Sequence, residues 1–308
     1  MVCRIVEGGY SVMDVSVIIV SYNTCEITVQ CIRSVIELTR GVSYEIIVVD
    51  NNSGDHSAQY IEITFPMVRV IRNESNKGFG QANNIGIAHS SGKYILLLNS
   101  DTWLLNNAAS IFFNYMEDAD HRAVACCGGA LYKPDGSPQV SFGNFPSLLE
   151  SFSEIGFYIL YKSYFQRYIS SGVINYNGKI KEVDYVSGAD MFIRRSVLDE
   201  TGPFDQGFFL YYEETELSLR FKRAGFSSML LPEAKIVHLE GASLSEGQDF
   251  NYMKLERFAK SRALFFQKRY GSLQVKLMKF FYCLHQIVLF IRTRRGNLVR
   301  IIKMVINA

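Results

Sequence analysis

KYILLLNSDT, residues 93–102, decides how this chain is read. Its apolar run has no period-two alternation, the mark of a strand buried on both faces. It then breaks abruptly into Asn99, Ser100 and Asp101. Two other stretches share this design: VSVIIVSYN (residues 15–23) ends in Ser21, Tyr22 and Asn23, and YEIIVVDNNS (residues 44–53) ends in Asp50, Asn51 and Asn52. MVRVIRN (67–73) and AVACCGG (123–129) read as further strands. Helical stretches are expected over 26–38, 78–90 and 107–117, the second opening on glycine. Strands alternating with helices predict an α/β fold with a mostly parallel sheet covered on both faces. Ligands of such sheets gather outside the carboxyl ends of the strands. A single Asn/Asp/Ser tail is ordinary turn chemistry, but three of them predict a shared site.

After residue 143 the alternation stops. Residues 145–176 are rich in aromatics and read as helices or an ordered loop shaping a second pocket. VDYVSGADMFIRR (183–195) reads as strand, small-residue break and strand; AKIVHLEGAS (234–243) reads as a strand ending at His238. Between them, FLYYEETELSLR (209–220) crowds Glu213, Glu214 and Glu216 behind two tyrosines. Glutamates in a first helical turn favour the positive end of the helix dipole, and Glu216 can pair with Arg220 one turn on. Asp101 and His238, each at the end of an apolar strand, are groups suited to a hard divalent cation.

The 308 residues, 48% hydrophobic and 20% charged, suffice for one elaborate domain or two ordinary ones. No basic start leads into an apolar signal-peptide core, so export is not expected. The six cysteines show no CxxC pattern and read as reduced, mostly packed thiols. The net charge of +2 conceals an asymmetry. Residues 257–308 carry 12 Lys or Arg and no acid, leaving 20 basic and 30 acidic side chains elsewhere, a balance of −10. This basic tail also contains LMKFFYCLHQIVLFI (277–291), which favours a membrane surface over nucleic acid as its anionic partner. Lys279 and His285 interrupt the run, which falls short of the roughly 20 apolar residues of a spanning helix.

Taken in order, VSVIIVSYN, VVDNNSGD, NKGFGQANNIG, LLLNSD, SGAD, FFLYYEETELSLR and HLEGAS resemble the successive motifs of family 2 glycosyltransferases with the GT-A fold. The nearest subgroup is the rhamnosyltransferase-like enzymes of bacterial surface polysaccharide synthesis. The resemblance runs from residue 15 to about 243. It implies an N-terminal extension (1–14), a glycosyltransferase domain (15–248) with a nucleotide-binding half (15–128) and an acceptor and metal half (129–248), and C-terminal helices (249–308) at a membrane. It implies donor contacts from Ser21, Tyr22, Asn23, Asp50 and Asn52, from Asn76, Gly78, Phe79 and Asn83, and from the Asn99–Ser100–Asp101 triplet. Asn99 stands where many relatives have a first acid. Asp101 and His238 would hold Mg²⁺ or Mn²⁺, with Ser243 completing the histidine motif. Gly188, Ala189, Asp190 and Glu213 would meet the acceptor, and Glu214 would be the general base.

The function so implied is inverting transfer of a sugar from a nucleotide-diphosphate donor, dTDP-rhamnose or a UDP-hexose. The acceptor would be a saccharide, free or lipid-linked, at the cytoplasmic face of the cell membrane. Nucleotide-sugar synthesis is disfavoured because SYNTCE, not a glycine-rich loop, follows the first strand. Dinucleotide-dependent oxidoreduction is excluded on similar grounds. The remaining alternative is an inactive, membrane-associated homologue acting as a scaffold, because EETE stands where relatives read E-D-x-D.

Overall fold

A computed structural model of the chain describes residues 13–239 and 250–308. The N-terminal extension and the Ser243 motif fall largely outside them. The first half alternates: β1 (Val15–Ser21), α1 (Cys25–Leu38), β2 (Tyr44–Asp50), α2 (Ser57–Thr64), β3 (Arg69–Arg72), α3 (Phe79–Ala88) and β4 (Tyr94–Asn99). Then come β5 (Thr102–Leu104), α4 (Ala108–Glu117) and β6 (Val124–Tyr132). The second half runs through β7 (Phe142–Gly143), α5 (Leu148–Ser153), α6 (Lys162–Tyr168), β8 (Lys181–Val183), β9 (Tyr185–Val186) and β10 (Asp190–Arg194). It continues with α7 (Arg195–Thr201), α8 (Glu213–Arg223) and β11 (Ser227–His238), then α9 (Tyr252–Tyr270), α10 (Ser272–Thr293) and α11 (Leu298–Asn307).

The central sheet has the order β3-β2-β1-β4-β10-β6-β11-β5, with β8 also on β11. β1 to β4 are mutually parallel, and β10 enters antiparallel between β4 and β6. The result is a mixed sheet of mostly parallel strands flanked by helices, as the alternation led us to expect. The apolar runs are explained by burial on both sides. Val15, Val17 and Ile19 join Ile32 of α1 and Phe112 of α4 in one core layer. Ile18 joins Ala82 of α3 and Phe221 of α8 in the other. Neither face of β1 can carry a charge without desolvating it.

One expected strand divides. The 93–102 stretch stops at Asn99, turns through Ser100 and Asp101, and resumes as β5, with Thr102 Oγ1 donating to the Asn99 carbonyl at 2.8 Å. β5 pairs antiparallel with the end of β11, Thr102 opposite His238. That pairing has no local signal in the sequence, and it builds the site.

The three C-terminal helices share a third core cluster with the α8 region: Phe208, Tyr212 and Leu219 meet Phe265, Met278 and Ile301. Arg262 of α9 is 1% exposed. It donates to Ser151 Oγ (3.0 Å) and Glu154 Oε2 (2.9 Å) and lies 5.0 Å from the Tyr282 ring centroid. Among the described residues α10 is the one helix long and apolar enough to cross a membrane by length and composition. The cysteines within the described residues are free thiols, as expected.

Candidate active site

The polar strand ends converge on a cleft of about 780 Å³. The β5–β11 ladder places His238 opposite Thr102, one residue from Asp101, so Asp101 Oδ1 and His238 Nε2 lie 3.4 Å apart. Asn99 Nδ2 is 3.5 Å from the same ring nitrogen. The backbone holds the pair closed, since Leu239 N donates to the Asp101 carbonyl at 2.9 Å. A carboxylate oxygen and an imidazole nitrogen this close, opening on one cleft, suit a divalent cation whose remaining ligands come from elsewhere. Among the described residues no cluster of three or more His, Cys, Asp or Glu forms a complete protein cage. The residues therefore fit a cation shared with a ligand's own oxygens.

On the neighbouring wall, Tyr22, Asn76, Gly78 and Phe79 line the cleft, as does Asn51. Asn51 bonds in four directions, donating to Asn76 Oδ1 and the Gly78 carbonyl and accepting from Asn73 Nδ2 and Lys77 N. It therefore fixes the loop leading into α3. Gly78 has φ +79°, and a Cβ there would lie 2.2 Å from the Phe209 carbonyl oxygen. Only glycine allows that approach. The N-terminal end of α3 meets the cleft through Gly78 and Phe79.

The glutamates separate. Glu213 and Glu214 are adjacent at the start of α8, so their side chains point about 100° apart around its axis, and Glu216 follows after Thr215. Tyr211 and Tyr212 precede them with φ of +74° and +69°, left-handed values costly for non-glycine residues. Tyr212 is held there by Phe258 and Phe265 of α9, each 5.5 Å away ring to ring. Glu214 is part-buried and faces Gly188: a Cβ on that glycine would lie 3.6 Å from Glu214 Cγ. Its Oε1 accepts from Thr215 Oγ1 at 3.1 Å. Burial holds its carboxyl above the ordinary range. Glu213 is 1% exposed and lies against Gly80 of α3, with Oε1 lacking a hydrogen-bond partner. Burial first, and then the charge of Glu214, push the Glu213 carboxyl well above the usual carboxylate range. Glu216 makes the expected pair with Arg220, both carboxylate oxygens 3.0 Å from Nε. Arg220 also donates to the carbonyls of Thr201, Gly202 and Pro203.

Several expected site residues do not line the cleft in this structure. Asp190 is fully enclosed and its Oδ2 accepts from Gly129 N, because it begins β10 inside the sheet. Its neighbours Gly188 and Ala189 do line the cleft. Ser21 bonds Thr28 within the core, and Asn83 donates to the Phe79 carbonyl inside α3. Asn23 caps the 53–54 loop by accepting from Gly54 N, while Asn52 is exposed at φ +70° outside the lining. Asp50 is buried, its Oδ2 accepting from Ser53 N and its Oδ1 unpartnered beside the site loop. Glu213 borders the cleft, but its carboxyl is buried against α3 and cannot meet an acceptor in this conformation. Sequence reading missed Lys133, Lys254 and Arg257, which line the cleft. Arg257 lies over the Phe209 ring at 4.8 Å. No local motif marks Lys254 or Arg257, because α9 reaches the cleft only through tertiary packing; Lys133 follows β6.

The architecture and the site define an α/β protein with a cation-ready cleft at its strand ends. Residues 16–202 match the family described as glycosyl transferase family 2, and the chain belongs to that family. It is similar to an N-acetylglucosaminyl-diphospho-decaprenol L-rhamnosyltransferase of Mycobacterium tuberculosis, 26% identical over 63% of this chain and 66% of that protein. It is also similar to the rhamnosyltransferase WbbL of Escherichia coli, 26% identical over 52% of this chain and 60% of that protein. The fold is similar to that of GalNAc-T7 solved with UDP, GalNAc and Mn²⁺, at a TM-score of 0.58 and 17% identity, over 94% of this chain and 59% of that one. The matches thus span just under two thirds of these relatives' lengths.

Proposed function

We propose that this chain transfers a sugar from a nucleoside-diphosphate donor, dTDP-rhamnose or a UDP-hexose, to a hydroxyl of a saccharide acceptor in cell-surface polysaccharide synthesis. The observation that carries this reading is the Asp101–His238 pair and Glu214 opening on one cleft. The relatives' printed activities support rhamnose as the first donor to test and a diphospho-lipid saccharide as the first acceptor.

In this mechanism Tyr22, Asn51 and Asn76 line the donor's nucleoside side, with the free oxygen of Asp50 behind them. The start of α3 presents the positive end of the helix to the diphosphate. Asp101 and His238 would hold Mg²⁺ or Mn²⁺, which when bound would supply positive charge for the leaving diphosphate. Glu214 accepts the proton of the acceptor hydroxyl while that oxygen bonds to the anomeric carbon. The bond from this carbon to the diphosphate oxygen breaks at the same step, and the nucleoside diphosphate leaves with the electron pair. A single displacement inverts the anomeric centre. The raised pKa of Glu214 suits it to accept a proton. Glu213, buried against α3 with its carboxyl pKa raised by burial and by Glu214, sits beside it.

The basic, apolar C-terminal helices would hold the protein at the cytoplasmic face of the membrane, where a lipid-linked acceptor is presented. Candidate nucleotide sugars, incubated with Mn²⁺ and acceptor, should release nucleoside diphosphate, and NMR of the product should show the inverted anomer. A retained configuration would refute the single displacement. An active wild-type enzyme would also dispose of the scaffold alternative.

A further inference from the structure

The segment from α5 to β8 is used by nothing in the reading above. Between Glu154 and Glu182 it contains no acid, yet it holds Lys162, Arg167, Lys179 and Lys181. The first three of these cations are exposed. Glu154, the last acid before it, is committed to Arg262 at 2.9 Å. The segment also leaves large apolar side chains in water: Leu160 is 81% exposed, Ile159 61% and Tyr164 57%. Hydrophobic and aromatic residues interspersed with cations, and unbroken by acid, suit the headgroup layer of an anionic bilayer. An acidic protein partner would need cations without so much bare aliphatic surface.

The position of the segment agrees. Phe157, which starts the one-turn helix 157–161, stacks on Phe152 of α5 at 4.5 Å. Phe152 in turn meets Phe281 of α10 edge-on at 5.7 Å. His285 Nδ1 of α10 bonds the Glu154 carbonyl at 2.7 Å. The segment is therefore braced directly on α10, whose Leu273, Leu277 and Phe280 form an exposed stripe away from its buried Met278 and Tyr282. Both ends of the segment return to the cleft, for Pro146 and Ser171 belong to its lining.

We propose that residues 157–168 form a second membrane-docking element, which inserts Ile159, Leu160 and Tyr164 into an anionic bilayer surface beside α10 and sets the cleft mouth at the lipid. The inference rests on the membrane reading of the C-terminal helices. It adds an element that reading does not contain, because the charge and apolar pattern of residues 257–308 does not extend to it.

The test is flotation of the full chain with equimolar phosphatidylglycerol–phosphatidylcholine vesicles at low salt. Wild type should float. Ile159→Asp/Leu160→Asp should lower the partition coefficient roughly tenfold or more, given the apolar area withdrawn from lipid. Lys162→Glu/Arg167→Glu, a charge-only variant at exposed positions, should weaken binding in the same direction. Unchanged thermal unfolding and unchanged binding of dTDP or UDP show that each variant is folded. If wild type floats and both variants float equally well, the second element is refuted while the C-terminal anchor stands. If wild type itself stays soluble, the membrane reading and this inference fall together.

Discussion

Glu214→Gln preserves the side chain's shape and removes its ability to take a proton. The geometry makes the comparison clean. The Thr215 Oγ1 bond, 3.1 Å to Glu214 Oε1, can persist to an amide oxygen, and Gly188 leaves the space beside Cγ unchanged. Loss of a positioned general base costs roughly 10²–10⁴ in rate, or about 3–5 kcal/mol of barrier. Glu213→Gln exchanges a buried carboxyl, whose pKa burial raises, for an amide of the same size, so its cost should stay near that of one hydrogen bond, about tenfold or less. The assay is nucleoside-diphosphate release at saturating donor, with donor binding measured separately by calorimetry. Burial raises the Glu214 pKa, so the proton-accepting form grows as pH rises through that raised value. The wild-type rate should therefore climb across that limb, and Glu214→Gln should flatten it while binding donor normally. A dead Glu213→Gln beside a fully active Glu214→Gln would move the base to the other glutamate.

Other consequences are equally direct. Asp101→Asn and His238→Ala should each lower turnover severely with unchanged unfolding temperature; full activity of either in excess chelator would remove the cation from the mechanism. Glu216→Gln leaves Arg220 half-paired where it staples residues 201–203, and should cost about 1–3 kcal/mol of stability by denaturant unfolding while turnover changes less. Glu150, buried near Glu154, has its carboxyl pushed up to about 7, by burial first and then by the Glu154 charge. The folded state therefore binds this proton more tightly than the unfolded chain. The stability it contributes is full below its ordinary value of 4.5 and is lost as pH rises to about 7. Glu150→Gln should remove that loss, so the difference in unfolding temperature between variant and wild type should widen across this window.

The strands were legible in the sequence because burial on both faces of a parallel sheet is written locally, as unbroken β-branched and leucine runs. Their polar tails were legible for a related reason: a run of Asn, Ser and Asp is costly in a core layer unless each side chain finds a partner. Such runs mark where β1, β2 and β4 end, even though Ser21 and Asp50 are themselves buried and partnered. Helix α8 and its Glu216–Arg220 pair were likewise readable, since a spacing of four residues closes within one turn. These features are set by neighbours in sequence.

What the chain alone did not decide is which tail residues face the cleft and which face inward. Gly188 and Asp190 are two residues apart, yet one borders the cleft and the other is locked to Gly129 N, because β10 begins between them. Glu213 and Glu214 are adjacent and chemically alike, and only the rotation of α8 places one carboxyl against Gly80 of α3 and the other beside Gly188 at the cleft. Lys254 and Arg257 enter the cleft because aromatic packing seats α9 against Tyr212. Asp101 and His238 meet only through the β5–β11 ladder. Such contacts depend on strand register and helix rotation between segments far apart in the chain, which local periodicity leaves free and which burial of the whole core determines.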